Sequence, residues 1–303
     1  MTELNMNMKQ EYNKYMFPEG TVSIQQAVHE GTKILQEQKI ENASYDSFAL
    51  LADINGMDKT FYYMHGQDAL SDDEYERFQH SIMLRAGHTP LQHILGKVYF
   101  YGYEYKVNSD VLIPRPDTEV LVEQVLKQVD ESSRVLDICT GSGCIILTIA
   151  KEAGISQGTG IDISEAALKV AEENRKSLSA EQVTLLQGDL FQALPDEDQY
   201  KNYDLIVSNP PYIRSDVIPT LSEEVREHDP MLALDGFEDG LYFYRKIIES
   251  AAHYLKAEGW LMFEIGYDQA RAVSNLMKEH GYTQVTTVKD LAGLDRVVTG
   301  RIG

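Results

Sequence analysis

Apolar positions in the first third of the chain recur with helical spacing. Ile24, Ala27, Val28, Ile34 and Leu35 keep mostly three- and four-residue intervals, and Phe48, Leu50, Leu51 and Ile54 resume them after a break at 41–45. Such spacing gathers apolar side chains on one face of a helix. Ser71-Asp72-Asp73-Glu74 has the form of a capping box, in which Ser and Glu satisfy each other's backbone donors. It predicts a helix through Tyr75, Phe78, Ile82 and Leu84. Residues 22–87 thus read as a small domain of four or five helices, with nothing that suggests chemistry. Pro90-Leu91-Gln92-His93-Ile94-Leu95-Gly96 breaks the helical period. Residues 98–111 are rich in Tyr, Phe and Val, with Asn108-Ser109-Asp110 as turn residues, and predict a β-hairpin linking two domains. Next, the prolines of Leu112-Ile113-Pro114-Arg115-Pro116-Asp117-Thr118-Glu119 hold an extended loop. Asp117 or Thr118 can cap a helix running through Val122, Val125 and Leu126.

After Ser132 the pattern becomes an alternation of short apolar runs and helical periods. Strands are expected at 134–139, 158–163, 183–188, 203–208 and 260–265, with a closing pair at 284–288 and 296–299 around Gly293. Helices are expected near 144–152, 164–178, 241–255 and 269–280. Repeated strand–helix units argue an α/β, doubly wound, mainly parallel sheet of seven strands. The expected division is a disordered tail over 1–20, a helical domain over 21–95, a hairpin linker over 96–113 and the α/β domain over 114–303.

Composition narrows the function classes. The net charge is −21, of which residues 96–303 carry −14, and no basic run is present. Duplex nucleic acid is bound largely through Lys and Arg on phosphates, so an autonomous DNA binder is not expected. No apolar run approaches the ~20 residues of a membrane span, and the first 19 residues lack a signal-peptide core. Cys139 and Cys144 are the only cysteines and lie within one motif, which suits a reducing, cytoplasmic setting without a disulfide framework or metal site.

Four stretches carry candidate chemistry, each at the end of an expected strand. Asp137-Ile138-Cys139-Thr140-Gly141-Ser142-Gly143 is a glycine-rich turn into a helix. It lacks the third glycine of the dinucleotide fingerprint, whose place is taken by Ile146, and so suits a nucleoside-type ligand better than a pyrophosphate. Asp162 ends the second strand, where α/β nucleotide sites hold ribose hydroxyls by a carboxylate; alternatively it neighbours a cap made by Ser164. Asp189 ends the third strand, placed to accept from an exocyclic amine, with Leu190 or Phe191 to pack on a purine; the plainer reading is a Gly-Asp turn. Asn209-Pro210-Pro211-Tyr212 ends the fourth. Two prolines cannot continue a ladder, so the strand stops and leaves an amide, a rigid kink and an aromatic ring at its C-terminal edge. Open α/β sheets bind ligands at that edge. Together these resemble the ordered set of S-adenosylmethionine-dependent methyltransferases of the doubly wound class, which implies that cofactor.

Beyond that set, the chain resembles the HemK/PrmC release-factor glutamine methyltransferases from about residue 22 onward. The resemblance includes 90–96, 112–119 and 208–213, then Asp229-Pro230 before Ala233-Leu234, and Asp239-Gly240-Leu241. It continues in Phe263-Glu264-Ile265-Gly266, and in Lys289-Asp290-Leu291 with Asp295-Arg296-Val297-Val298. It implies a helical domain that grips the release factor, a catalytic domain, and N5-methylation of the glutamine in the Gly-Gly-Gln motif of class 1 peptide chain release factors. Cys139 stands where the family usually has Gly, and Asp117 and Asp229 where it usually has Glu. The first twenty or so residues exceed the family's usual start, leaving Met6, Met8 and Met16 as candidate initiators.

The expected cofactor site is Cys139, Thr140, Gly141, Ser142, Gly143, Asp162, Asp189, Leu190 and Asn209; no metal is expected. The expected substrate site is Asn209, Pro210, Pro211 and Tyr212, with Asn209, Pro210 and Tyr212 catalytic. An amide nitrogen is a poor nucleophile whose lone pair is delocalised, and a general base gains little. Positioning should dominate: the Asn209 side-chain oxygen and the Pro210 carbonyl accept the two amide hydrogens and turn the nitrogen toward the methyl at roughly 3–3.5 Å. Tyr212 would cover the amide. Arg115, Glu119 and Glu264 are expected to shape the site, without assigned roles. A DNA or RNA adenine N6-methyltransferase uses the same logic on another planar NH₂ group and is the competing reading. A non-enzymatic S-adenosylmethionine- or NAD-binding module is a further one. A monomer is expected.

Overall fold

The computed structural model describes residues 20–194 and 202–303. The expected tail over 1–20 therefore lies almost wholly outside the described residues. The chain divides into two compact units, residues 1–96 and 97–303.

The first unit holds helices Ile24–Glu37, Ala43–Asn55, Lys59–His65, Asp72–Ala86 and Leu91–Leu95. Both long-range packing and local capping fix them. Leu35, Leu50, Leu51, Phe78 and Ile82 are fully buried in one core. Ser71 and Glu74 form the expected capping box, and Ser23 with Gln26 forms a second. Inside this core Arg85 Nε donates to Asp46 Oδ2 at 2.7 Å. The stretch at 90–96 is itself a short helix, from Leu91 to Leu95, not a plain break. Pro90 is tolerated because it precedes the first helical residue, and Gly96 ends the turn at φ 69°.

The second unit opens with β1 (Lys97–Phe100) and β2 (Tyr103–Lys106), an antiparallel pair. The hairpin turns at Tyr101 and Gly102, both at positive φ. Asn108-Ser109-Asp110 makes a separate turn beyond β2, in which Asn108 Oδ1 accepts from the Asp110 N–H at 2.9 Å. Phe100 and Tyr105 are buried in the core of this unit beside Leu121 and Val125, so the hairpin packs as part of it.

The main sheet comprises β3 (Arg134–Ile138), β4 (Gln157–Asp162), β5 (Val183–Gln187), β6 (Tyr203–Ser208), β7 (Leu255–Glu264), β8 (Tyr282–Lys289) and β9 (Asp295–Ile302). Its order is β5-β4-β3-β6-β7-β9-β8. The first five are parallel, and β9 runs antiparallel to β7 and β8. Period-two alternation buries both faces: Leu136, Ile138, Ile206 and Phe263 enter one core, Val135, Leu205, Val207 and Met262 the other. The expected strands are all present. β7 starts earlier than anticipated, at Leu255, through a register shift opposite Tyr203 and Leu205. Helices Glu223–His228 and Met231–Leu234 were not anticipated. Each is too short to show a helical period.

Strand order reverses between β3 and β6. Such a switch point leaves a crevice at the carboxyl ends of the strands. Among the described residues, no helix is long and apolar enough to cross a membrane.

Candidate functional site

At that crevice lies a cavity of about 310 Å³. The glycine-rich loop after β3 forms one wall. Its backbone alternates into the left-handed region at Cys139 (φ 62°), Gly141 (φ 54°) and Gly143 (φ 80°). Cys139 thus occupies a conformation that ordinarily favours glycine, which gives a physical reason for the family's usual residue there. At Gly143 a Cβ would lie 2.9 Å from Leu147 Cδ1, so this glycine serves the loop-to-helix packing and is not in the cavity lining. Cys139, Thr140, Gly141 and Ser142 do line it.

Behind the loop, Asp137 is fully buried and Thr140 Oγ1 donates to its Oδ2 at 2.6 Å. Burial, reinforced by the nearby Asp162 charge and opposed by the Thr140 hydrogen bond, pushes the Asp137 carboxyl up to about 7.

Asp162, the last residue of β4, neighbours the cap made by Ser164 and also reaches the cavity. Its Oδ2 accepts from the Gly141 N–H at 2.8 Å and its Oδ1 from the Ser164 N–H at 2.9 Å. Ser164 caps the next helix through the Ala167 N–H. Asp162 also lines the cavity, with both carboxylate oxygens anchored on backbone N–H groups. Burial raises its carboxyl above the usual range despite these bonds.

Just beyond β5, the Gly188 N–H donates to the Asp162 carbonyl at 3.0 Å and brings Asp189 to the cavity. Asp189 is exposed. Leu190, at φ 52°, lines the cavity. Phe191 is turned inward and stacks on Tyr254 at 4.9 Å, so of the two candidates only Leu190 faces the cavity.

From β6, Asn209 and Pro211 line the cavity; Pro210 and Tyr212 adjoin it without lining it. The Asn209 side chain is half-buried and makes no hydrogen bond among the described residues. Tyr212 is fixed elsewhere. Its hydroxyl donates to Glu264 Oε1 at 3.3 Å and its carbonyl accepts from Gln269 Nε2 at 3.0 Å.

Further walls come from residues outside the expected cofactor and substrate sites, among them Arg115, which was expected to shape the site. Ile113, Pro114 and Arg115 come from the loop before the helix Glu119–Leu126; Leu232, Phe237 and Phe243 come from the long segment after β6. Apart from Arg115 these are apolar, and Leu232 and Phe243 stand in the first turns of the helices Met231–Leu234 and Tyr242–Tyr254, where no period marks the face turned to the cavity. Arg115 now has a partner: its Nη2 donates to Asp229 Oδ2 at 2.8 Å across 114 residues. Glu119 Oε1 accepts from the Tyr101 N–H at 2.7 Å and holds the hairpin turn. Three acidic side chains (Asp110, Asp162, Asp189) and one basic (Arg115) line the cavity.

Comparison with known proteins places both units. The family described as PrmC N-terminal domain matches residues 26–96, and that described as Methyltransferase domain matches residues 129–295. The chain is 42% identical over 269 residues to the release factor glutamine methyltransferase of Geobacter sulfurreducens, covering 89% of this chain and 93% of the relative. It is 43% identical over 246 residues to the enzyme of the same name from Thermodesulfovibrio yellowstonii, covering 80% and 86%. In fold it is similar to the crystal structure of a methyltransferase from Pyrococcus furiosus, with a TM-score of 0.51, 16% identity, and coverage of 67% and 91%.

Proposed function

The chain belongs to the release factor glutamine methyltransferase family, and on that premise we propose that its cavity holds S-adenosylmethionine while Asn209 and Pro210 hold the glutamine of a class 1 release factor's Gly-Gly-Gln motif. The enzyme is a protein-(glutamine-N5) methyltransferase. The observation that carries the proposed site is the half-buried Asn209 amide, unpartnered among the described residues, on the wall shared with the glycine-rich loop.

The lining suits the cofactor. Asp162 and Asp189 are acceptors for ribose hydroxyls and an exocyclic amine, and Leu190 offers an apolar face. An acidic lining favours a ligand with cationic groups. Gly141 lets the backbone approach closely, and Cys139, Thr140 and Ser142 complete the wall. When bound, S-adenosylmethionine supplies an electrophilic methyl group on a sulfonium.

The protein's part is positioning. The Asn209 side-chain oxygen and the Pro210 carbonyl accept the two hydrogens of the glutamine amide, which leaves the nitrogen lone pair facing the cavity. These fixed dipoles are already oriented for the positive charge that develops on nitrogen, so no reorganisation is needed during reaction. Pro211 and the Tyr212 ring help to exclude water from the amide. In this reading residues 21–95 grip the release factor, and the protein acts as a cytoplasmic monomer. The charge of −14 over residues 96–303 disfavours a nucleic-acid substrate.

Incubation with methyl-labelled S-adenosylmethionine and purified release factor tests this. Label is expected on the Gly-Gly-Gln peptide; label on DNA alone would overturn it.

A further inference from the structure

Pro210 and Pro211 have no N–H, so neither can tie the peptide that follows β6 to its surroundings through a donor. The motif is instead gripped at its ends. On the entry side, β6 is laddered to β3 and β7, and the Ser208 hydroxyl donates to the Ile138 carbonyl. On the exit side, one half-buried side chain makes four hydrogen bonds. Gln269 Nε2 donates to the carbonyls of Tyr212 at 3.0 Å and Gly240 at 3.2 Å. Its Oε1 accepts from the Gly266 N–H at 3.0 Å and the Tyr244 hydroxyl at 3.5 Å.

Glycines make this approach possible. A Cβ at Gly236 would lie 2.8 Å from Tyr212 Cα, and one at Gly240 would overlap the Tyr212 carbonyl oxygen. Just beyond, the Ile213 N–H donates to the Leu234 carbonyl at 3.0 Å, and the Gly236 N–H to the Ile213 carbonyl at 2.7 Å.

We propose that Gln269 is a positioning residue for methyl transfer: by fixing the Tyr212 carbonyl it sets the direction of the Pro210 carbonyl and the Asn209 amide. The role rests on the reading of 209–212 as the clamp on the substrate glutamine. With φ near −65° at both prolines, the freedom left between Asn209 and Tyr212 lies mainly in ψ. Holding the carbonyl at the far end removes it. Gln269 can do so only as a donor, because the groups it must hold are carbonyls.

Gln269→Glu separates donation from packing, since a carboxylate of the same size accepts from Gly266 but donates to neither carbonyl. The expected result is a fall in kcat of about 10–100-fold, with the release-factor KM and the S-adenosylmethionine Kd changed by less than about twofold. Relative kcat should recover as the pH is lowered toward ~5, where the substituted side chain regains a proton to donate. Gly266→Ala is a milder second variant, because its Cβ would meet Gln269 Oε1 at 3.0 Å; kcat is expected to fall about threefold. It keeps the test open should Gln269→Glu not fold. Unchanged kcat in both variants overturns the role. So does a loss matched by the unfolded fraction or by an equal loss of cofactor affinity. Absence of label on the release factor with the wild-type enzyme would overturn the clamp reading, and this role with it; wild-type turnover with unaltered variants overturns the role alone.

Discussion

The Tyr212 hydroxyl donates to Glu264 Oε1 at 3.3 Å, joining the end of the motif after β6 to the last residue of β7. Glu264 is only 2% exposed. Burial raises its carboxyl above the usual carboxylate range, opposed by Thr118, the Arg296 charge and Tyr212 itself. Arg296 is in turn held by Asp290, Nε at 3.1 Å and Nη2 at 3.0 Å. The family motifs around Glu264, Asp290 and Arg296 thus form one largely buried polar network behind the motif at 209–212.

Removing the hydroxyl alone should therefore cost stability. Tyr212→Phe keeps the packed ring and should lower unfolding free energy by about 1 kcal/mol. Tyr212→Ala also loses the ring's burial and should cost about 3 kcal/mol or more. Urea unfolding of both variants checks this; equal losses would mean that the ring contributes nothing.

Asn209 makes no competing hydrogen bond among the described residues, so its loss should fall on turnover and not on the fold. Asn209→Ala is expected to lower kcat on release factor by about 100-fold or more. S-adenosylmethionine should still bind, as read by titration calorimetry. Lost binding with turnover intact would contradict the assigned role.

Asp137 predicts a pH dependence of stability. Its carboxyl is raised by burial to about 7 in the fold, against an ordinary 3.8. Below about pH 4 both folded and unfolded forms carry the proton. Between about 4 and 7 the unfolded chain releases it while the folded protein retains it, so stability falls as pH rises through that window. Asp137→Asn can still accept from Thr140 and cannot ionise. The difference in melting temperature between this variant and the wild type should therefore shift in the variant's favour from pH 4 to 7. Parallel melting curves would refute it.

Cys139 bears a side chain at φ 62°. Cys139→Gly should relieve that strain and raise unfolding free energy by about 1 kcal/mol, less the added freedom of glycine in the unfolded chain. Cys139→Val, branched at Cβ, should destabilise. Thermal unfolding of the pair distinguishes backbone strain from side-chain packing, because packing alone would make the glycine variant the weaker one.

Local sequence set the elements and the positions of the loops that line the cavity. Alternation at Leu136, Ile138 and Ile206, the Ser71–Glu74 box, and the two prolines after Asn209 each act through local backbone preference or period, which neighbours in the chain suffice to set. It also placed Gly141, Asp162 and Asn209 at one edge, because parallel strands joined by crossovers end on the same side. What faces what was set by tertiary packing. It turned Phe191 into the core and left Leu190 at the cavity, moved the hairpin turn to Tyr101-Gly102, and packed that hairpin into the catalytic unit. It also brought Gln269 to Tyr212 across 57 residues and Arg115 to Asp229 across 114. No local period encodes such pairs: a polar residue in an irregular segment acquires its partner from the path of the crossovers, and burial then makes that partnership obligatory.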